Sequence, residues 1–500
     1  MLLTKSDFLK YKECSSYAWF VKNMPDVLSN QEIDPFVQGL IEQGAEVEDW
    51  ARESFPNGVQ VKSYHEKAVT TTKQLIEEGN QTIFQATFSD KELYAMVDIL
   101  DWNDKLQAWD IYEVKSSTSQ QDTEGGKMKD EHLYDAGFQR ILLKRLGMKI
   151  ANVFLIQLNK KYIKNGEINI DELFAITEIT ADLINMEESL NADINVAYNT
   201  IHLTDAPKSC SCKIKPRKKH CGVFSYLYPD TPEYSVYDIY RIGNSPTLLR
   251  ELEDQNILQF SQIKDLSKFN KMRLWQWQTY VNNEEIILAD KIQAELDKLV
   301  YPLYFLDYET LPAAIPKYDG TSPHQQVVFQ YSLHIITSKD ADPIHKEYLH
   351  KSIDPPMQSV ASKLREDIGD AGSVIVWYKP FESSRTKELA DMVPGLNDFL
   401  ISLNKRIYDL MDIVANGYYV HKDFKGSASI KAVLPVMCPD LSYKDLNIQN
   451  GGQAMTTYRD LIFSDKFAGN ENQVEMDLLE YCKLDTWAMV RIWEEFCKKV

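Results

Sequence analysis

The first half of the chain changes from helical to alternating hydrophobic spacing and back again. Apolar residues recur with a helical period over residues 34–54 and stop at Phe55-Pro56-Asn57-Gly58, a sequence that breaks helices. Three segments with strand character follow, at residues 82–84, 94–100 and 108–114. A helix over residues 131–146 and a strand over residues 150–156 are predicted next. This order of elements predicts an α/β core.

Beyond residue 170 the chain has long helical stretches, which are followed by a new core. Residues 171–202 and 228–300 have helical patterns with few strand signals. The continuous apolar run from Tyr301 to Leu306 predicts a buried strand. Further strands are predicted at residues 327–336 and 373–377, with helices from there to the C-terminus. The patterns divide the chain into a first domain at 1–225, a helical connector at 226–298 and a last domain at 299–500.

Composition places the chain among folded proteins, with 44% hydrophobic residues in 500. No apolar run approaches the roughly 20 residues that cross a bilayer, and the first residues have no signal-peptide pattern. We therefore expect a cytoplasmic protein without a membrane partner. The net charge of −19 opposes general binding to nucleic acid, which needs cations. Two basic stretches are candidates for a local groove, Lys213–His220 and Arg140–Lys149, although each alone is more typical of a solvated surface.

An acidic pattern in the first domain suggests metal chemistry. Glu113 and Lys115 are two residues apart in a predicted strand and therefore share a face. Asp98 lies near the end of the preceding strand, so it can meet them across a hairpin. Carboxylates bind Mg²⁺ or Mn²⁺, and a neighbouring lysine can orient an attacking water. The bare pattern is weak, because many strand pairs contain it by chance, and the alternative is a surface salt bridge between Glu113 and Lys115.

Four of the seven cysteines are placed as a metal-ligand set. Cys14 stands alone near the N-terminus, whereas Cys210, Cys212 and Cys221 lie within twelve residues of one another. Four thiolates suit either zinc or a 4Fe–4S cluster. Such a site would tie the two ends of the first domain together. The other three cysteines, at 438, 482 and 497, are expected to be small buried residues.

Together these features resemble the RecB-like nucleases of the PD-(D/E)XK superfamily, in their iron–sulfur subgroup, over about residues 1–225. Glu48, in Gly44-x-x-x-Glu48, stands where that family carries a histidine or an acid near the metal. Gln139 matches its trailing glutamine. The resemblance favours a 4Fe–4S cluster over zinc. Two departures concern the ligand geometry: Glu48 replaces the usual histidine, and the cysteine spacing C-x-C-x8-C has a short first gap.

A second set of acids lies in the last domain. Asp307 and Glu309 share one face of the buried strand, and Tyr481 and Asp485 lie one helical turn apart. Glu382 follows an apolar strand end between them. Acids from three distant segments are what two-metal phosphoryl chemistry needs, and Tyr481 would position the attacking water. Tyr481 taken alone is better explained as a core residue.

This second set resembles the DEDD exonucleases of the RNase H-like fold, in their tyrosine-containing branch. The D-x-E and Y-x-x-x-D motifs match. The middle motif departs, because Tyr378 and Glu382 stand where an asparagine and an aspartate are usual. Asp409 resembles an auxiliary aspartate, with a helix cap as an equal alternative. The chain as a whole resembles a little-characterised bacterial family that joins the two domains.

We therefore expect a nuclease that acts on DNA, single-stranded or at ends, with Mg²⁺ or Mn²⁺ and a 3′-to-5′ exonuclease-like second site. One alternative is a nucleic-acid-binding scaffold whose second site is degenerate. Another is a last domain that acts on RNA, since a few contacts to a 2′-OH would suffice. A helicase is a conceivable partner. An ATP-driven motor within this chain is not expected, because the sequence has no G-x-x-x-x-G-K-[ST].

Overall fold

A computed structural model describes residues 1–28, 35–119 and 129–500 of the chain. It is an α/β structure in two compact units, and each unit contains a mixed sheet. Unit 1 comprises residues 1–230 and 313–324, and unit 2 comprises residues 231–312 and 325–500. Residues 231–298, placed in the predicted connector, fall within unit 2. No described helix has both the length and the apolar character needed to cross a membrane.

The described strands of unit 1 form one seven-stranded sheet. They are β1 (Leu3–Thr4), β2 (Val59–Gln60), β3 (Thr82–Ser89), β4 (Leu93–Asn103), β5 (Ala108–Thr118), β6 (Ile150–Leu158) and β7 (Phe174–Glu178). Their order is β2-β3-β4-β5-β6-β7, with β1 also paired to β4. Antiparallel hairpins join β3 to β4 and β4 to β5, whereas β5 and β6 run parallel. The two central strands of this arrangement carry the predicted acids.

Helices pack against this sheet. They are α1 (Lys5–Glu13), α2 (Ser15–Asn23), α3 (Pro35–Arg52), α4 (His65–Glu77), α5 (Asp130–Arg145), α6 (Ile170–Leu173), α7 (Thr180–Ile201) and α8 (Phe224–Leu227). Thr4 caps α1 in a reciprocal pair with Asp7. Phe8, Phe138 and Leu142 belong to the buried core that α1 and α5 form with the sheet. This packing fixes the start of α1 beside β5.

Unit 2 has a five-stranded sheet and a two-stranded one. The strands are β8 (Ile286–Ile287), β9 (Leu303–Pro312), β10 (Gln326–Ile336), β11 (Ile344–Leu349), β12 (Ser373–Val376), β13 (Ile407–Asp409) and β14 (Tyr419–Val420). The larger sheet has the order β11-β10-β9-β12-β13. Strand β10 is antiparallel to both of its neighbours, whereas β9, β12 and β13 are parallel. The apolar run of β9 is buried in its centre, as the sequence predicts.

Unit 2 also contains helices. They are α9 (Pro246–Asp254), α10 (Lys271–Asn282), α11 (Ala289–Leu296), α12 (Met357–Asp367), α13 (Lys379–Met392), α14 (Asn397–Lys405), α15 (Asp412–Ala415), α16 (Ile430–Met437), α17 (Gly451–Phe463) and α18 (Glu471–Lys498). The long helix α18 packs on β9 and β10. Phe305, Met489 and Phe496 are fully buried in the core that joins them.

The helical prediction for residues 171–202 is wrong at Phe174–Glu178, which is β7. These five residues pair with β6 in an antiparallel ladder. Burial alternates imperfectly along them, since Phe174 and Thr177 are buried while Ile176 is exposed. The helical spacing of the neighbouring residues therefore masks a short edge strand. The helices predicted beyond Trp377 are likewise interrupted by the short strands β13 and β14.

Gly372 gives a direct test of the start of β12. Its φ is +96°, and a Cβ at this position would lie 2.2 Å from the backbone oxygen of Pro302. Gly372→Ala therefore combines a left-handed backbone with a clash against main chain that has little room to move. We expect it to destabilise unit 2 by at least about 2 kcal/mol, measured as a lowered unfolding midpoint.

Gly395→Ala is the matched control. A Cβ at Gly395 would meet nothing within 4 Å, and its φ is not in the left-handed region. The midpoint of this variant should stay within experimental scatter of the native protein. Equal midpoints for the two alanine variants would contradict the tight approach of Gly372 to Pro302.

Candidate metal centres

The three residues of the first acidic pattern lie together in unit 1. The ladder between β4 and β5 ends with Ile99 opposite Tyr112, so Asp98 and Glu113 are the next residues along the two strands. The backbone N–H of Val114 donates to Asp98 Oδ2 at 2.9 Å. Lys115 Nζ lies 2.6 Å from Glu113 Oε1. Strand alternation and a tight hairpin thus produce the arrangement that the sequence predicts.

Helix α5 contributes two side chains to this cluster. The fully buried Gln139 donates from Nε2 to Glu113 Oε2 at 2.5 Å. Asp135, one helical turn earlier, forms an ion pair with Lys115. Gln139 was predicted, whereas Asp135 was missed, although the i, i+4 spacing of the two residues on one helix is a readable signal.

Glu48 reaches the cluster through Gln85. The Gln85 amide donates to Glu48 and, at 3.4 Å, to Asp98 Oδ1. Gln85 has a φ of +52° in the middle of β3, where the pairing with β4 skips this residue. The register of the ladder is the same on both sides of Gln85, so this left-handed residue is a local distortion of the strand without an inserted residue. Arg52, one turn beyond Glu48 on α3, pairs with the same carboxylate.

Lys5 is the least expected member of the cluster. Its Nζ lies 3.1 Å from Glu113 Oε1 and 3.0 Å from Asp135 Oδ1. It comes from the first residue of α1, more than a hundred positions before Glu113. The only sequence signal is its place directly after Thr4, the residue that fixes where the helix starts. No local pattern connects Lys5 to the acids.

The electrostatics of the cluster follow from burial. Burial, the charge of Glu113 and that of Glu48 raise the pKa of Asp98 to about 8, against the effect of Lys5. Burial also acts to raise the pKa of Glu113, but the ammonium groups of Lys5 and Lys115 outweigh it and hold that pKa below its usual value. Carboxylate oxygens held this way are suitable ligands for a hard divalent cation.

The four predicted cysteines also meet in unit 1. The sulfur atoms of Cys14, Cys210, Cys212 and Cys221 all lie within 4.8 Å of one another, and all four residues are buried. Cys14 sits at the junction of α1 and α2, and the other three lie on the short turns after α7. Four converging thiols fit a sulfur-bound metal ion or an iron–sulfur cluster.

Hydrogen bonds hold the two sides of this cysteine site together. Lys215 Nζ donates to the carbonyl oxygen of Glu13 at 2.7 Å, and Ser16 Oγ donates to that of Ser209 at 2.6 Å. Trp19 Nε1 adds a bond of 2.9 Å to the carbonyl oxygen of Leu203. The start and the end of unit 1 are therefore joined on both sides of the thiols.

The second set of predicted residues converges in unit 2. Asp307 and Glu309 come from β9, Glu382 from the first turn of α13, and Asp485 from α18. Burial first, and then the charges of the neighbouring acids, raise the pKa of Glu309 and of Glu382 well above the ordinary range. Burial raises the pKa of Asp485 to about 6. These carboxylates are close enough to repel one another in a site with little solvent.

The buried carboxylates of this cluster have too little positive charge beside them, and Glu382 shows this most clearly. Its side chain is 3% exposed, and its Oε2 has no hydrogen-bond partner. Arg385 and Lys431 lower the pKa of Glu382 and Glu309 respectively, but less than burial raises them. A buried carboxylate oxygen without a partner is costly unless it binds a proton or a cation.

Two tyrosines and a helix start border these acids. Tyr443 donates from its hydroxyl to Asp485 Oδ1 at 2.5 Å, and the ring of Tyr481 lies 6.0 Å from that of Tyr443. A Cβ on Gly451 would lie 3.8 Å from Glu309 Oε2 and 4.0 Å from the Tyr481 hydroxyl. Tyr443 and Gly451 were not predicted to border the acids, because neither residue belongs to a sequence motif.

Several predicted residues have other roles. Asp409 accepts hydrogen bonds from the backbone N–H groups of Tyr378 at 3.0 Å and Lys379 at 2.8 Å, so it binds the start of α13 from the neighbouring strand β13. Cys497 is exposed, which corrects the expectation that it is buried. Cys482 is buried, but against Asp307 instead of in an apolar core, with 3.9 Å from its Sγ to Asp307 Oδ2.

One of the two basic stretches is occupied by ion pairs. Arg140 Nη1 lies 2.5 Å from Glu187 Oε2, and Lys144 pairs with the same carboxylate. Arg145 Nη1 lies 3.0 Å from Glu92 Oε2. These cations join α5 to its neighbours, which agrees with the structural explanation of the stretch. In the other stretch, Lys218 and Lys219 are exposed.

Comparisons with known proteins find one family model and several uncharacterized relatives. A family described as a domain of unknown function (DUF2779) matches residues 304–429, a segment that contains Asp307, Glu309 and Glu382. An uncharacterized protein of Ureaplasma parvum, UU173, is 28% identical over 295 residues, which are 53% of this chain and 41% of that protein. An uncharacterized MG366 homolog of Mycoplasma pneumoniae is 25% identical over 299 residues, or 54% of this chain and 45% of that protein. The chain thus spans less than half of the length of these relatives.

Proposed function

We propose that this protein is a metal-dependent nuclease that acts on DNA through two separate centres. The observation that carries the proposal is the convergence of Asp307, Glu309, Glu382 and Asp485 from three distant segments, with Glu382 Oε2 buried and unpartnered. Repelling carboxylates in a buried site favour a bound divalent cation. A bound Mg²⁺ or Mn²⁺ ion would polarise the phosphodiester and lower the pKa of an attacking water.

The second centre is proposed to act as a 3′-to-5′ exonuclease site of the DEDD type. Three observations support it. The acids of β9 share one face of the strand, and Tyr481 and Asp485 lie one turn apart on α18. In the five-stranded sheet, β10 alone runs antiparallel, between β11 and β9, as in an RNase H-like sheet. Glu382 reaches the acids from the first turn of α13. Its longer side chain would take the role of the expected aspartate. Tyr481 would orient the water for attack.

The first centre is proposed to cleave as RecB-like PD-(D/E)XK enzymes do. Asp98 and Glu113 would supply the metal ligands, and Lys115 would orient the water or neutralise developing charge. Gln139 holds Glu113 in place through its 2.5 Å hydrogen bond, and Glu48 is linked to Asp98 through Gln85. Lys5 would add positive charge beside the reacting phosphate.

The cysteine site is proposed to hold a 4Fe–4S cluster with a structural role, as the resemblance implies. On a single zinc ion, thiolate sulfurs at the corners of a tetrahedron would lie about 3.8 Å apart. A cubane binds each thiolate to a different iron, so it needs a wider spacing. The thiols lie within 4.8 Å of one another, so they would have to move apart around a cluster.

Separate loss of two cleavage activities tests the two-centre proposal. Lys115→Ala should remove the products of the first centre and Asp307→Asn those of the second, each by about a hundredfold or more. The measurement is degradation of 5′-labelled single-stranded DNA in Mn²⁺ by anaerobically purified protein. RNA of the same sequence, run beside the DNA, shows which substrate each centre prefers.

Matched controls come from the same units. Lys144→Ala removes an exposed lysine that pairs with Glu187, and Asp440→Asn removes an exposed acid that pairs with Arg491. Both should cleave as the native protein does. Loss of all activity on every substrate through Lys115→Ala alone would overturn the idea of two centres. No cleavage by the native protein with its cysteine site loaded would favour a binding scaffold.

Removal of one thiol tests the cysteine site. Cys14→Ser should reduce iron and acid-labile sulfide to background and lower the melting temperature of unit 1 by roughly 10 °C, because a structural metal contributes directly to folding. Cys497→Ser is the control, since this thiol is exposed and distant in sequence. If the native protein contains stoichiometric zinc and no iron, the cysteine site is a zinc site and the cluster proposal is wrong.

A further inference from the structure

Cys482 has surroundings that an ordinary core cysteine lacks. Its side chain is fully buried, and its Sγ lies 3.9 Å from both Oδ2 and the carbonyl oxygen of Asp307. The Sγ atom and carboxylate oxygens of Asp307 and Glu309 all lie within 4.8 Å of one another. One thiol and two carboxylates therefore point at a common volume.

The position of Cys482 on α18 explains this direction. It directly follows Tyr481 and precedes Asp485 by three residues, so it shares a helix face with that aspartate. Helix α18 packs against β9, the strand of Asp307 and Glu309. The same helix turn that brings Asp485 to the acids therefore also brings the thiol.

A second observation at the same place points to a cation. Glu382 is 3% exposed, its Oε2 has no hydrogen-bond partner, and its charge acts on those of Asp307 and Glu309. The thiol cannot supply the missing positive charge. A metal ion can, because it binds the carboxylates and the sulfur at once.

We infer that Cys482 is a thiolate ligand of the second centre and gives that centre a preference for thiophilic divalent ions, such as Zn²⁺, over Mg²⁺. The inference rests on the proposed function in taking this cluster to bind metal. Carboxylates alone suit Mg²⁺ and Mn²⁺, whereas a thiolate among them favours softer ions. When the metal binds, the thiol loses its proton to solvent, and the thiolate sulfur donates a lone pair to the metal ion.

Cadmium titration of the full chain tests this ligand directly. With the cysteine site loaded as purified, added Cd²⁺ should give the ultraviolet sulfur-to-cadmium absorption in the native protein and no such increment in Cys482→Ser. Cys438→Ser, which alters another buried cysteine of unit 2, should keep the absorption. Cys482→Ala serves as a second variant should the serine disturb the core, with folding checked by circular dichroism.

Competition with a chromophoric chelator supplies the affinities. Zn²⁺ binding should weaken about tenfold or more in Cys482→Ser and Cys482→Ala, while Mn²⁺ binding changes by less than about threefold. An equal cadmium signal in the native protein and the folded Cys482 variants would overturn the ligand role. If the native protein still binds Mn²⁺ and Asp307→Asn does not, the proposed metal centre stands without Cys482 as a ligand. If neither the cadmium titration nor the chelator competition detects a bound metal, the proposed function itself is overturned.

Discussion

Burial of carboxylates is the physical constraint on which both candidate centres depend. An ionised carboxylate removed from water must be paired, protonated or bound to a metal. In the first centre, the acids at positions 48, 113 and 135 form ion pairs with three cations, Lys5, Arg52 and Lys115. In the second centre the acids raise one another's pKa, and Glu382 retains an unpartnered oxygen. The demand for an added cation is therefore greater in the second centre.

Helix α1 connects the two unusual features of unit 1. Its first residue, Lys5, lies 3.1 Å from Glu113, and Cys14 directly follows its last residue. A helix transmits position along its length because its backbone hydrogen bonds leave few soft torsions. Holding Cys14 at the cysteine site therefore also fixes where Lys5 enters the acidic cluster. The cysteine site is thus connected to the acidic cluster through α1.

Periodicity made the cores of both sites predictable from sequence. Glu113 with Lys115, and Asp307 with Glu309, follow from strand alternation, and Tyr481 with Asp485 follows from one turn of a helix. The α/β class follows from the change between the two periods. Asp98, in the strand before Glu113, follows from the short hairpin that joins β4 to β5.

The residues that sequence analysis missed depend on long-range packing. Lys5 meets Glu113 across a long stretch of sequence, where β1 pairs with β4 directly before the start of α1. Gln85 reaches Glu48 from a left-handed backbone position inside β3, which no sequence pattern marks. Cys482 looked like a small core residue because its position on α18 fits both a core and a ligand. Packing of α18 against β9 places the thiol beside the carboxylates of Asp307 and Glu309.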